Sequence, residues 1–84
     1  RGWHRAWLLL SALAARLDAL AALGRRADIE AWERPRRGTY LEPFHLRALG
    51  LVREDPELLA QALARFEALR LQWHAAETRA LAGI

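Results

Sequence analysis

This sequence predicts an all-α fold, and three observations carry the prediction. Ala and Leu dominate the chain, while β-branched residues are confined to Ile29, Thr39, Val52, Thr78 and Ile84. Strands favour the opposite bias, whereas unbranched side chains lose little rotamer freedom in a helix. Apolar residues recur at helical spacing in two long segments, near the start of the chain and after Pro56. Helix start and stop residues, among them Gly24, Pro35 and Asp55-Pro56-Glu57, separate the segments.

The first helix spans Trp3 to Leu23. Trp3, Leu9, Leu10, Leu13, Leu17 and Leu20 share one arc, and His4, Ser11 and Asp18 recur every seven residues opposite it. Gly24 ends the helix as a residue that enters the left-handed region without a Cβ penalty. Arg25 and Arg26 then complement the C-terminal dipole. Asp28 can cap a short helix reaching Arg34, with Ile29 and Trp32 pointing the same way and Pro35 stopping propagation.

Arg36-Arg37-Gly38 connects to helix three, which runs to about Arg53. Its start reads two ways. Thr39 with Glu42 fits a capping box, and Glu42 before Pro43 fits a start with Pro at the first helical position. Asp55-Pro56-Glu57 is a sharper signal, combining a side-chain acceptor, a first-turn Pro and an acid at the positive end of the dipole. Leu58, Leu59, Ala62, Leu63, Phe66 and Leu69 form the stripe of helix four. Propensity alone allows that helix to run from residue 56 to 82.

Composition bounds the rest. Eighty-four residues make one domain, and a chain of this size buries only roughly 60–65% of its unfolded surface. With no cysteine, disulfides, thiolate metal sites and a catalytic thiol are all excluded. No apolar run approaches the ~20 residues of a membrane span, and the Leu8–Leu10 region lacks the context of a signal peptide. The chain reads as soluble and cytoplasmic. It begins at Arg1 without an initiator Met, so residues 1–84 are expected to be a single helical domain from a longer protein.

The pattern Arg47-Ala48-Leu49-Gly50, Asp55-Pro56, Leu58-Leu59, Ala62, Phe66-Glu67-Ala68-Leu69 and Trp73-His74-Ala75-Ala76 resembles the C-terminal helical repeats of bacterial signal-transduction ATPases. Those proteins join an ATPase core to tetratricopeptide-like repeats. In the first half of the chain only Leu23-Gly24 and Trp32 echo the pattern, Trp32 lying 34 residues before Phe66, which is the repeat period.

The resemblance implies about two and a half tetratricopeptide-like hairpins, with a generic antiparallel bundle as the alternative. It also implies a break near Arg70 to Gln72 and a fifth helix opening at Trp73, although this chain has Arg70 where the family usually has Gly. Such repeats bind proteins in a groove formed by the first helices of successive hairpins. Repeat starts near residues 9 and 43 would line it with Leu10, Leu13, Leu17 and Leu20, then Phe44, Arg47, Leu51 and Glu54.

Chemistry-bearing residues are sparse. His4, His45 and His74 are far apart, and His74 with Glu77 supplies two ligands where a metal site wants more. No phosphate-binding loop or nucleophile elbow is present, so neither catalysis nor a cofactor is expected. Arg25, Arg26, Arg34, Arg36 and Arg37 surround Trp32 in a way that suits nucleic acid. Yet Asp28, Glu30 and Glu33 sit among them, which favours solvated connectors. The expected function is protein association or regulatory coupling. A second expectation is self-association as a symmetric dimer through Trp3, Leu10, Leu13, Leu17 and Leu20, because an open row of leucines calls for cover.

Overall fold

The computed structural model describes residues 2–83, with side chains from His4 to Gly83. Five helices make up the described chain: α1 (Gly2–Ala22), α2 (Arg26–Glu30), α3 (Leu41–Arg53), α4 (Pro56–Ala68) and α5 (Gln72–Ala82). The Trp3 side chain, one of the residues expected to drive dimerisation, lies outside the described residues.

Three helices end in the same hydrogen-bonded turn. After α1, Gly24 takes φ 68°, its N–H donates to the Ala21 carbonyl, and the Arg25 N–H donates to the Leu20 carbonyl. This is the 5→2 and 6→1 pairing of a Schellman turn. Glu54 and Arg70 occupy the equivalent left-handed positions after α3 and α4, at φ 51° and 59°. The break at Arg70 therefore forms with a non-glycine residue, and the uninterrupted helix from 56 to 82 does not occur. Local propensity loses there because the reversal returns α5 to the core, where Ala75 and Thr78 are buried.

Two of the expected caps differ. Asp28 lies inside α2 and pairs with Arg25 at 2.6 Å, so it caps nothing, and α2 stops at Glu30, four residues short of Arg34. Arg26 pairs with Glu30 at 2.7 Å. At α3 the Thr39 hydroxyl donates to the Arg36 carbonyl (2.6 Å) and takes no part in a capping box. Glu42 reaches back one residue further instead, accepting from the Gly38 N–H at 2.8 Å, while Arg65 Nε of α4 stands 3.2 Å from the same carboxylate oxygen. A buried carboxylate needs a countercharge, and Arg65 supplies it from outside the local sequence. Asp55 caps α4 as its sequence suggests, accepting from the N–H groups of Glu57 (3.0 Å) and Leu58 (3.3 Å).

The topology follows from which residues meet. Trp7 meets Tyr40, Asp18 meets Arg47, Phe44 meets His74 and Arg47 meets Thr78, so α1, α3 and α5 run parallel. Phe44 meets Phe66 while Gly50 meets Leu59, so α4 runs antiparallel to α3. At Gly50 an added Cβ would lie 2.9 Å from Leu59 Cγ and Cδ2. The missing side chain is what lets the two helices close.

Helix α3 is the centre, with Glu42 to Gly50 all buried. Around it pack Ala14 and Leu17 of α1, Ile29 of α2, Ala62 and Phe66 of α4 and Ala75 of α5. Leu17 is fully buried and Leu10, Leu13 and Leu20 are half-buried. Much of the leucine stripe of α1 is thus covered by the chain itself. What stays open on α1 is Trp7, Leu8 and Leu9, each at least half exposed.

Candidate binding cleft between α1 and α5

Arg47 sits in the apolar middle of α3, between Leu46 and Ala48, and is only 2% exposed. A guanidinium cannot shed its charge, so burial there demands partners on every open side. The fold provides them from two other helices. Nη2 donates to Asp18 Oδ1 of α1 at 3.0 Å, and Nη1 stands 3.0 Å from Glu77 Oε1 of α5. Nη1 also donates to the Thr78 hydroxyl (3.2 Å) and, at 3.4 Å, to the His74 carbonyl. Thr78 in turn donates to that carbonyl at 2.7 Å. Beneath the charge lie two rings, with Cζ 4.9 Å from the centre of Phe66 and 5.4 Å from that of Phe44, distances at which the ring quadrupole attracts a cation.

Arg47 is the floor of a cleft of about 530 Å³ between α1 and α5. Asp18, Ala21 and Ala22 form one wall and Glu77 with Leu81 the other, while Leu51 extends the floor. Toward the α3–α4 turn lies a second hollow of about 350 Å³, which shares Leu51 and Leu81 and adds Glu54 and Leu59. Asp18 and Glu77 are about two-fifths exposed, so each carboxylate holds Arg47 on one side and meets water on the other. Asp18 and Glu77 bracket the buried Arg47 in the first hollow, and Glu54 lines the second. The lining is otherwise apolar.

Electrostatics around the cleft agree with its geometry. Burial raises the Tyr40 hydroxyl pKa above the ordinary tyrosine range, and the Asp18 charge adds to that. Burial holds His74 below its usual range and Arg47 pushes the same way, against Asp18 and Glu77. The neutral His74 ring stacks on Phe66, centroids 5.4 Å apart. Such a site offers acceptors and apolar walls. It holds no activated nucleophile, since Thr78 is fully buried and its hydroxyl is committed at both ends.

Of the residues expected in a groove, Arg47 and Leu51 line the cleft and Glu54 lines the adjoining hollow. Leu17 and Phe44 are core residues, and Leu10, Leu13 and Leu20 lie half-buried on the α1 stripe outside the lining. Asp18, Glu77 and Leu81 are lining residues that sequence reasoning passed over. The sequence pattern places Asp18 only opposite the apolar arc of α1. The available signal was Arg47 itself, because an Arg inside a run of buried positions requires carboxylates brought from elsewhere.

The Arg-rich connectors form a different surface. Arg25 and Arg26 are neutralised by Asp28 and Glu30, and Arg53 of α3 also reaches Glu30 at 2.9 Å. Arg34, Arg36 and Arg37 are exposed on the α2–α3 connector, while Trp32 is half-buried against the core. Among the described residues no group of three or more His, Cys, Asp or Glu converges as metal ligands, and no helix is long and apolar enough to cross a membrane.

No family model, curated protein or solved structure matches this chain.

Proposed function

We propose that this chain is a non-catalytic protein-association or regulatory module built from tetratricopeptide-like helical hairpins, and that it engages its partner in the cleft over Arg47. The observation that supports this most directly is the parallel set α1, α3 and α5, whose residues line a cleft that adjoins a second hollow at Leu51 and Leu81. In a stack of hairpins the first helices line the concave surface, and stacked helical repeats use such surfaces for binding. The α3–α4 pair, with its two-residue connection and the Gly50–Leu59 approach, is the best-formed hairpin.

The role remains the one that the resemblance to signal-transduction ATPase repeats implies: coupling between protein segments, with any chemistry performed elsewhere. Because the chain has no cysteine, a single cysteine can be introduced cleanly. A photo-crosslinker on Leu51→Cys, in the cleft, should capture a protein partner in extract from the source cells, and the same reagent on Ala64→Cys, exposed on α4, should not. Equal capture at both positions, or none at either, contradicts the proposal.

A further inference from the structure

We infer that the occupant of the cleft is a separate protein segment carrying an Arg or Lys beside an apolar residue, an inference that rests on the association reading above. Charge complementarity selects this occupant. Arg47 is almost wholly buried and balances one of the carboxylates that hold it, which leaves the Asp18–Arg47–Glu77 group with a net negative charge on its wet side. Glu54 adds a second excess charge in the adjoining hollow.

Asp18 and Glu77 each keep oxygen lone pairs free of Arg47, since a carboxylate accepts at about four sites. A partner's cation placed between them meets two acceptors that are already fixed in position, so little side-chain order is lost on binding. The walls suit the rest of such a side chain. Ala21, Leu51 and Leu81 offer apolar surface along which a methylene stem or a neighbouring leucine can lie. An acidic segment would face like charge throughout, with Arg47 too deep to compensate.

The test is selection of a random twelve-residue peptide library on the immobilised 84-residue chain. Enriched peptides are expected to carry Arg or Lys within one helical turn of an apolar residue. Binding of the best one should weaken roughly tenfold when its cation is replaced by norleucine, and by a similar factor against Asp18→Asn/Glu77→Gln. That double variant keeps amide oxygens for Arg47 but removes both of its countercharges, so its urea midpoint should fall. Retained helicity by circular dichroism and a cooperative urea transition would show that it still folds, and the norleucine peptide reads the cation on the unaltered chain. Neutral or acidic peptides that lose binding to Leu51→Asp would overturn the cationic occupant and leave the association module standing. Failure to enrich any peptide would overturn both. Self-association at tens of micromolar, abolished by the double variant, would make the occupant a second copy of this chain and overturn the separate partner.

Discussion

Arg47 and Asp18 meet across 3.0 Å from adjacent parallel helices, one almost completely buried and the other two-fifths exposed. The asymmetry has an energetic consequence. Truncating the buried member leaves two carboxylates without their shared cation and opens a hole above two aromatic rings, whereas truncating the exposed member leaves Arg47 with Glu77, Thr78 and the His74 carbonyl.

Arg47→Ala is therefore expected to cost about 2–5 kcal/mol, the range for truncating a large buried side chain, and Asp18→Ala, which leaves Arg47 its Glu77 countercharge, about 1 kcal/mol. Urea unfolding of the two variants checks this. Arg47→Lys should resemble the alanine variant more than the parent, since one ammonium cannot reach α1 and α5 together. Losses of similar size for Arg47→Ala and Asp18→Ala would show that the bridge does not depend on burial.

Gly50→Ala should destabilise by about 1–3 kcal/mol, the range for overpacking a filled interface. The added Cβ meets Leu59 side-chain atoms at 2.9 Å and the Leu59 backbone nitrogen at 3.1 Å, and the backbone contact cannot be relieved by a change of rotamer. Gly50→Ala with Leu59→Ala should recover less than the full loss. A thermal midpoint for Gly50→Ala equal to that of the parent would mean the helices have room to separate.

Arg70→Gly is expected to stabilise the chain by roughly 0.5–1 kcal/mol. A left-handed conformation costs a non-glycine residue about 1–2 kcal/mol, and part of the relief is cancelled by the freedom glycine adds to the unfolded chain. Glu54→Gly should act the same way, as Glu54 also adopts positive φ. Arg70→Ala, which retains the Cβ, serves as the control and should leave the urea midpoint nearly unchanged.

Stability should fall as pH drops below about 6.5, before the carboxylates titrate. His45 is buried with neither ring nitrogen hydrogen-bonded. Burial, reinforced by Arg34 and Arg53, holds it below the ordinary value of 6.5, and the nearby Ile29 backbone offsets only part of this. Burial and Arg47 depress His74 likewise. The unfolded chain then binds more protons than the folded one in this window, so the contribution is present above the unfolded value and lost as pH falls through the folded one. His45→Leu should be at least as stable as the parent at pH 7, with a visibly flatter dependence between pH 7 and 5.5. An unaltered slope would remove His45 as its source.

Helix content, the Gly24 turn and the Asp55 cap were legible in the sequence because each is decided within a few residues. Gly24 adopts positive φ at no steric cost, and Asp55 binds amides two and three positions on. Other features needed partners from distant segments. The reversal at Arg70 opposes the local preference of its neighbours and is held by what α5 buries against Phe44 and Phe66. Glu42 turned away from the expected capping box because Arg65 faces it from α4. The cleft depends most strongly on tertiary structure: Asp18, Arg47 and Glu77 lie 29 and 30 residues apart in sequence and become one site only when α1 and α5 close over α3. A one-dimensional pattern shows which residues can form helices and which of them are apolar. Which charges are buried together is set by the packing of whole helices, since the desolvation that makes Arg47 need its partners exists only once the chain is folded.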